Sequence, residues 1–447
     1  MTENAVAVVI LAAGQGSRMQ SDLPKVLHRL GQVPLVGHAL SAARSLEPEL
    51  VIVVTGHGAD RVAQAVAALD PEAATVLQSE QLGTGHAVRQ ALPQLEGFEG
   101  KVVVLYGDTP FIGQDTLAAL ASHSADLVVL GFEADDPGRY GRLVVSDRGL
   151  ERIVEYKDAD AATRQIVLCN SGVMALEANL LRLLIARLSN ENAAGEYYLT
   201  DLVALARAEG RRADVVLCDE AETLGINTRA ELAAAEAAFQ ARARIRAMED
   251  GVTLTDPDSV WFALDTVIGR DATVGPNVVF GPGVTVESEA EILPFCHLEG
   301  CHVSSGARVG PFARLRPGAE LGGDVHVGNF VEIKNAVLDE GVKVGHLTYL
   351  GDAHVGEHTN IGAGTITCNY DGVMKHRTTI GPRAFIGSDT MLVAPVRIGA
   401  DAMTGSGSTI TEDVPDGALA IGRARQVTKP GLATRLMAAL RLKKEAR

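Results

Sequence analysis

The chain has 447 residues, 47% hydrophobic and 21% charged, a length beyond one hydrophobic core and a composition that predicts two or three globular domains. Its net charge of −16 argues against a general binder of nucleic acid or of acidic membranes, while leaving room for a local basic pocket. Five cysteines without C-x-x-C spacing, no basic leader and no run of 18 uncharged apolar residues predict a cytoplasmic protein with reduced thiols and no membrane insertion.

Residues 5–227 alternate short apolar runs with helical patterns. Val6–Leu11 leads into A-A-G-Q-G-S-R-M, Leu50–Val54 ends at T-G-H-G, Lys101–Leu105 ends at Y-G-D, and Leu127–Leu130 follows. Between them Pro34–Arg44, Ala59–Ala68 and Thr116–His123 have helical spacing. This order predicts a Rossmann-like α/β domain over residues 1–227, with a mainly parallel sheet and ligands at the carboxyl ends of its strands. Residues 228–248 are rich in Ala, Glu and Arg and lack Gly and Pro. They predict a long helix capped by Thr228 and stopped at Asp250-Gly251, a rigid connector over 228–250.

From residue 251 the pattern changes. Ile268, Val274, Phe280, Val286, Ile292 and Leu298 are spaced by six. After a five-residue step the count resumes at Val303, Val309, Leu315, Leu321, Val327 and Ile333. Further short steps lead to Leu338, Val344 and Leu350, then to Val355 and Ile361, and a later run holds Ile380, Ile386, Leu392 and Ile398. Such a hexapeptide period predicts a parallel β-helix over 251–447, with the periodic residue stacked inward coil upon coil. Residues 432–447 predict a short basic terminal helix.

Several stretches carry polar chemistry. The small-residue loop Leu11-Ala12-Ala13-Gly14-Gln15-Gly16 lets backbone N–H groups approach phosphate oxygens, with Arg18 and Lys25 adding positive charge, although a tight strand–helix turn alone also calls for Gly. Asp108, at the end of an apolar strand, is a natural Mg²⁺ ligand. In the repeats, 312–349 and the loop inserted between Thr367 and Ile380 break the apolar rhythm, and insertions into a solenoid often form its binding face. Arg316, Lys334, Tyr349, Asn360 and Lys375 suit a phosphorylated sugar. His346 is able to take a proton from an attacking amine near neutral pH, with Glu332 in reach of fixing its tautomer.

L-A-A-G-x-G-S-x-M with P-K downstream closely resembles the signature of the sugar-nucleotide pyrophosphorylases, with Ser17 where Thr is commoner. The resemblance continues through Q-S-E-Q-L-G-T-G-H-A (78–87), Y-G-D-T-P (106–110), Y-G-R (140–142), I-V-E-Y-K-D-A (153–159), N-S-G (170–172) and G-I-N (225–227). It implies that Asp108 and Asn227 hold Mg²⁺, and that Leu11 to Gly14, Lys25, Gln78, Gly83, Thr84, Tyr106 and Gly107 bind the uridine nucleotide. It also implies that Gly141, Glu155 and Asn170 surround the sugar and that Arg18 and Lys25 assist transfer.

With G-H-L-T-Y-L-G-D-A and N-I-G-A-G-T-I-T-C-N-Y-D-G added, the chain resembles the bacterial bifunctional N-acetylglucosamine-1-phosphate uridyltransferases/glucosamine-1-phosphate acetyltransferases from residue 5 to about 427. That family implies a left-handed β-helix and a homotrimer. It also implies His346 as general base, and acetyl-CoA along the coils near Ala363, Asn369, Tyr370, Ser388, Ser406 and Arg423; Ser406 stands where Ala is more usual. Glucosamine-1-phosphate would be acetylated first, and the product, N-acetylglucosamine-1-phosphate, would then react with UTP to give UDP-N-acetylglucosamine for the cell wall. The alternative is a single-activity nucleotidyltransferase with a structural β-helix, and the intact 346–375 strings argue against it.

Overall fold

The computed structural model describes residues 5–445, in two compact units that divide between Arg242 and Ala243. In the first, the sheet runs Ala213–Leu217, Leu127–Glu133, Leu168–Glu177, Lys101–Tyr106, Val6–Ala12, Leu50–Thr55, Ala74–Leu77. All neighbours are parallel except Leu168–Glu177, which runs against both of its partners. The central strands are continuous apolar runs because both faces are covered: Ala7, Val9 and Leu11 face one core and Val8, Ile10 and Ala12 the other. The expected helices are found at Leu35–Arg44, Ala59–Leu69 and Gln114–Ser122, each within two residues of its sequence-derived bounds.

The long helix spans Arg229–Glu249. Thr228 Oγ1 accepts from the Glu231 N–H (3.1 Å) and a Glu231 carboxylate oxygen accepts from the Thr228 N–H (3.0 Å), a reciprocal capping box. Its first half belongs to the first unit, where Leu232, Ala235 and Phe239 pack with Leu30, Leu35 and Ile226.

The second unit is a prism of three parallel ladders. One face holds Thr273–Val274, Glu291–Ile292, Arg308–Val309, His326–Asn329, Lys343–His346 and Asn360–Ile361. The second holds Val279–Phe280, His297–Leu298, Arg314–Leu315, Glu332–Leu338, Tyr349–Val355 and Ile366–Cys368, and the latter parts of its long strands continue into the third face. The periodic apolar residues are buried in one stacked core, with the partly buried Ile268 packed against it. Every five-residue step (298 to 303, 333 to 338, 350 to 355) and the insertion after Thr367 fall at the same corner, between the second and third faces. Thr367 takes an inward place where the period calls for an apolar side chain. Its hydroxyl accepts from the Gly351 N–H (2.8 Å) and donates to the Gly351 carbonyl (3.0 Å), so the buried polar atom is satisfied.

All five cysteines are free, and burial pushes the Cys218 and Cys301 thiols up to about 12. Among the described residues no helix is long and apolar enough to cross a membrane. The terminal helix runs Leu432–Glu445; the last two positions of its expected span, 446 and 447, lie outside the described residues.

Candidate active sites

In the first unit the strands Val6–Ala12 and Lys101–Tyr106 run side by side, Leu11 opposite Tyr106, so their two polar loops leave the same sheet edge. The Leu11 carbonyl accepts from the Gly107 N–H (3.0 Å) and ties the loops together. Ala12 and Ala13 are buried, whereas a side chain at Gly14 would meet nothing within 4 Å, leaving that backbone open to a ligand. Gly16 has φ +64° and lies against the Lys25 side chain, which is steered toward the strand ends.

Four polar residues from three distant segments meet there. The Lys25 ammonium is paired with Asp108 and donates to Asn227 Oδ1 (3.0 Å), which also accepts from Arg18 (2.9 Å). Asn227 is brought in by the Ile226 N–H, which donates to the Asp108 carbonyl (3.0 Å). A carboxylate and an amide oxygen thus converge on one cation, a hard oxygen donor set.

Beside this cluster, Gln78 is buried, with its amide within 3.1 Å of the Gly83 carbonyl and 3.0 Å of His86 Nδ1. Gly83 (φ +106°) lies tight against the Tyr197 backbone, and Thr84 opens the helix Thr84–Ala91 and accepts from the Leu199 N–H (3.1 Å). Gly141, Glu155 and Asn170 come together: the Asn170 N–H donates to the Gly141 carbonyl (2.9 Å), and a Cβ at Gly141 would stand 3.5 Å from both neighbours. Burial pushes the Glu155 carboxyl up, opposed by a hydrogen bond from the Thr200 hydroxyl (3.1 Å). Burial likewise raises the Tyr106 phenol, whose ring lies against Gly172. Sequence reading did not single out Thr200; no local pattern ties it to Glu155, 45 residues away.

In the β-helix, His346 ends a strand of the first face and is exposed. The file above it is built by corner hydrogen bonds: Gly364 N–H to the His346 carbonyl (3.4 Å), Asp389 N–H to the Ala363 carbonyl (2.6 Å), and Gly407 N–H to the Ser388 carbonyl (2.8 Å). Ala363, Ser388 and Ser406 therefore rise along one corner from His346, and the Arg423 side chain reaches the same file at Gly407. Asn360 pairs with Lys343 on the first face.

The cationic residues are on the second face. Glu332 and Lys334 flank the buried Ile333 and so point outward together, and Glu332 is in register with Tyr349. The Lys334 ammonium is held below the usual lysine range first by the Lys375 ammonium beside it, then by burial and by Arg316. Asn369, at the start of the inserted loop, donates to Asp352, which also accepts from Asn335 (2.6 Å). Tyr370 and Lys375 form a bridge that closes the loop as a small hairpin.

Glu332 does not face His346 within the chain; it accepts from Arg316 (2.8 Å), with Arg314 at 3.7 Å. The chain turns a corner at Leu347 (φ +50°), so residue 332 lies under residue 349, and the residue under His346 is Asn329. Asn329 Oδ1 is 2.7 Å from His346 Nδ1. The signal for it was in the sequence: G-N at 328–329 stands one 17-residue coil before G-H at 345–346.

Residues 8–247 match the family model of the MobA-like NTP transferase domain. A Paracoccus denitrificans (strain Pd 1222) protein, named bifunctional protein GlmU, is 80% identical over 444 residues, covering 99% of this chain and all of the relative. The chain belongs to the bifunctional GlmU family. Relatives of the same name in Cereibacter sphaeroides (strain ATCC 17025 / ATH 2.4.3), at 70% over 448 residues, and Paramagnetospirillum magneticum (strain ATCC 700264 / AMB-1), at 53% over 449 residues, each cover at least 99% of both chains. Membership makes the prism a left-handed β-helix and the protein a bifunctional transferase. It acetylates glucosamine-1-phosphate and transfers a uridylyl group to N-acetylglucosamine-1-phosphate; a single activity with a structural β-helix is not favoured.

Proposed function

We propose that uridylyl transfer runs through the Arg18–Lys25–Asp108–Asn227 cluster, with Gln78, Gly83 and Thr84 around the nucleotide and Gly141, Glu155 and Asn170 around the sugar. A sugar-phosphate oxygen attacks the α-phosphorus of UTP in line and pyrophosphate departs, while Arg18 and Lys25 offset the developing charge. The donor set fits Mg²⁺: Asp108 and Asn227 present oxygens to a single cationic point, and Mg²⁺ is commonly held by one or two protein oxygens with substrate phosphates completing its shell. When bound there, Mg²⁺ supplies charge neutralisation between the sugar phosphate and the nucleotide.

In the second unit His346 is the general base, acting on the amine of glucosamine-1-phosphate as it attacks acetyl-CoA. The C–N bond forms, the C–S bond breaks with its electron pair, and the proton lost by nitrogen passes through His346 to the departing thiolate. Ala363, Asn369, Tyr370, Ser388, Ser406 and Arg423 bind the thioester; Arg316, Lys334, Tyr349, Asn360 and Lys375 bind the sugar phosphate. What supports this reading is the cationic cluster on this face, where the charges of Lys375 and Arg316 lie near enough to hold the Lys334 ammonium below its usual range. Two cations held together at an exposed site are best explained by an anion, and a phosphate dianion fits.

The working form is a homotrimer. In support, Phe295, Phe312, Phe330 and Leu347 line one corner and are 51, 45, 56 and 60% exposed. The three rings stack at 4.9 and 5.3 Å, an apolar file suited to burial against another copy. The test is a coupled assay with glucosamine-1-phosphate, acetyl-CoA, UTP and Mg²⁺, omitting one at a time, with uridylyl transfer also assayed separately on N-acetylglucosamine-1-phosphate supplied directly. His346→Ala should abolish only acetyl transfer and Asp108→Ala only uridylyl transfer; loss of both activities in either variant would refute the division of labour.

A further inference from the structure

We propose that Asn329 is a positioning residue for acetyl transfer: its side-chain oxygen accepts the Nδ1–H of His346 and holds the imidazole in the tautomer whose Nε2 lone pair meets the substrate amine. The inference rests on His346 being the base. Asn329 and His346 stand opposite each other on adjacent parallel rungs, and the 2.7 Å contact joins their side chains. On the other side, the Thr348 hydroxyl donates to the His346 carbonyl (2.7 Å), so the backbone that carries the ring is pinned as well. A neutral imidazole has one N–H, and an acceptor at Nδ1 leaves Nε2 free to take a proton.

The amide has a chemical consequence that a carboxylate would not. The face that carries the ring also carries Lys343 on the same strand, His326 and Arg308 on the two strands below, and the neutral Asn360 on the strand above. Glu332 is round the corner and engaged by Arg316. Asn329 therefore orients the ring without adding negative charge. The imidazolium formed when Nε2 takes the amine proton is not trapped as an ion pair, and it returns that proton to the leaving thiolate sulfur as the C–S bond breaks.

The test uses the full-length protein with Asn329→Ala, Asn329→Asp and His346→Ala, a thermal melt confirming the fold of each. Asn329→Ala should lower kcat for acetyl transfer about 10- to 100-fold with both KM values within about twofold, since orientation and not binding is lost. Its His346 ¹⁵N shifts should move from the Nδ1–H tautomer toward a mixture. Asn329→Asp keeps the acceptor and adds charge, so most of kcat should remain while the acid limb of the pH profile rises by about one unit. Wild-type kcat with unchanged ¹⁵N shifts in Asn329→Ala, or equal impairment of the Ala and Asp variants with no shift in pH profile, would overturn the role. If His346→Ala retains acetyl transfer, the base assignment itself fails; if it is inactive while Asn329→Ala is unimpaired, only the positioning role fails.

Discussion

Replacing Gly328 by alanine adds a methyl group at the rung that carries Asn329 and, one coil on, His346. That methyl would fall on the Gly345 carbonyl oxygen, 2.7 Å from its carbon and 3.1 Å from the Gly345 Cα. Carbon atoms pack at roughly 3.5 Å or more, so the two rungs must part by about 1 Å against a normal spacing of about 4.8 Å. The obstructing atoms are backbone and have no rotamer to escape into. Overpacking costs ~1–3 kcal/mol, and this case belongs at the upper end, near ~3 kcal/mol. For a unit of this size that is a fall in melting temperature of roughly 6–12 °C. The same displacement separates His346 from Asn329, and a misplacement of about 1 Å is worth about 10²-fold in rate. We expect acetyl transfer to drop on that scale while uridylyl transfer, assayed in the same preparation at equal protein concentration, stays near wild type. Gly345→Ala is the matched control: its Cβ would meet nothing within 4 Å, and acetyl transfer should persist with stability within about 0.5 kcal/mol. If Gly328→Ala behaves like Gly345→Ala, the packing argument is wrong.

Three further outcomes are expected. Leu350→Ala empties a fully buried place in the coil that carries His346 and should cost ~2–5 kcal/mol, read as a lower melting temperature and earlier heat inactivation of acetyl transfer; simultaneous loss of both activities would contradict it. Glu155→Gln should weaken N-acetylglucosamine-1-phosphate binding by about 10-fold or more, seen in KM. Because burial raises the folded Glu155 carboxyl above its unfolded value, ionising it costs stability as pH rises through that window. The Gln variant should then melt higher than wild type at pH 8, the gap closing below about pH 4; a lower melt at pH 8 would refute the sign. Lys375→Ala should raise KM for glucosamine-1-phosphate about 10-fold and reduce its salt dependence, with the thioester KM unchanged; an unchanged sugar-phosphate KM would remove Lys375 from the site.

The sequence by itself determined the repeating architecture and the ends of the strands. A six-residue period names the inward residues, from Val274 to Ile398, because burial acts on each coil alike and leaves its mark locally. The loops after Leu11 and Leu105 were legible for a similar reason: an apolar run that stops at Gly-rich or acidic residues marks a strand end wherever it lies. Tertiary structure decided which residues face one another. Lys25 meets Asp108 and Asn227 across 83 and 202 residues of sequence, and Thr200 reaches Glu155 across 45. Glu332 and Asn329 are both near His346 in sequence, and the turn at Leu347 puts Asn329 beneath it and Glu332 beneath Tyr349. The period says that a residue points out of a coil; only the stacking of coils of 17 and 18 residues says what lies beneath it, because the register is set where the corners fall and not by the side chains that end up as neighbours.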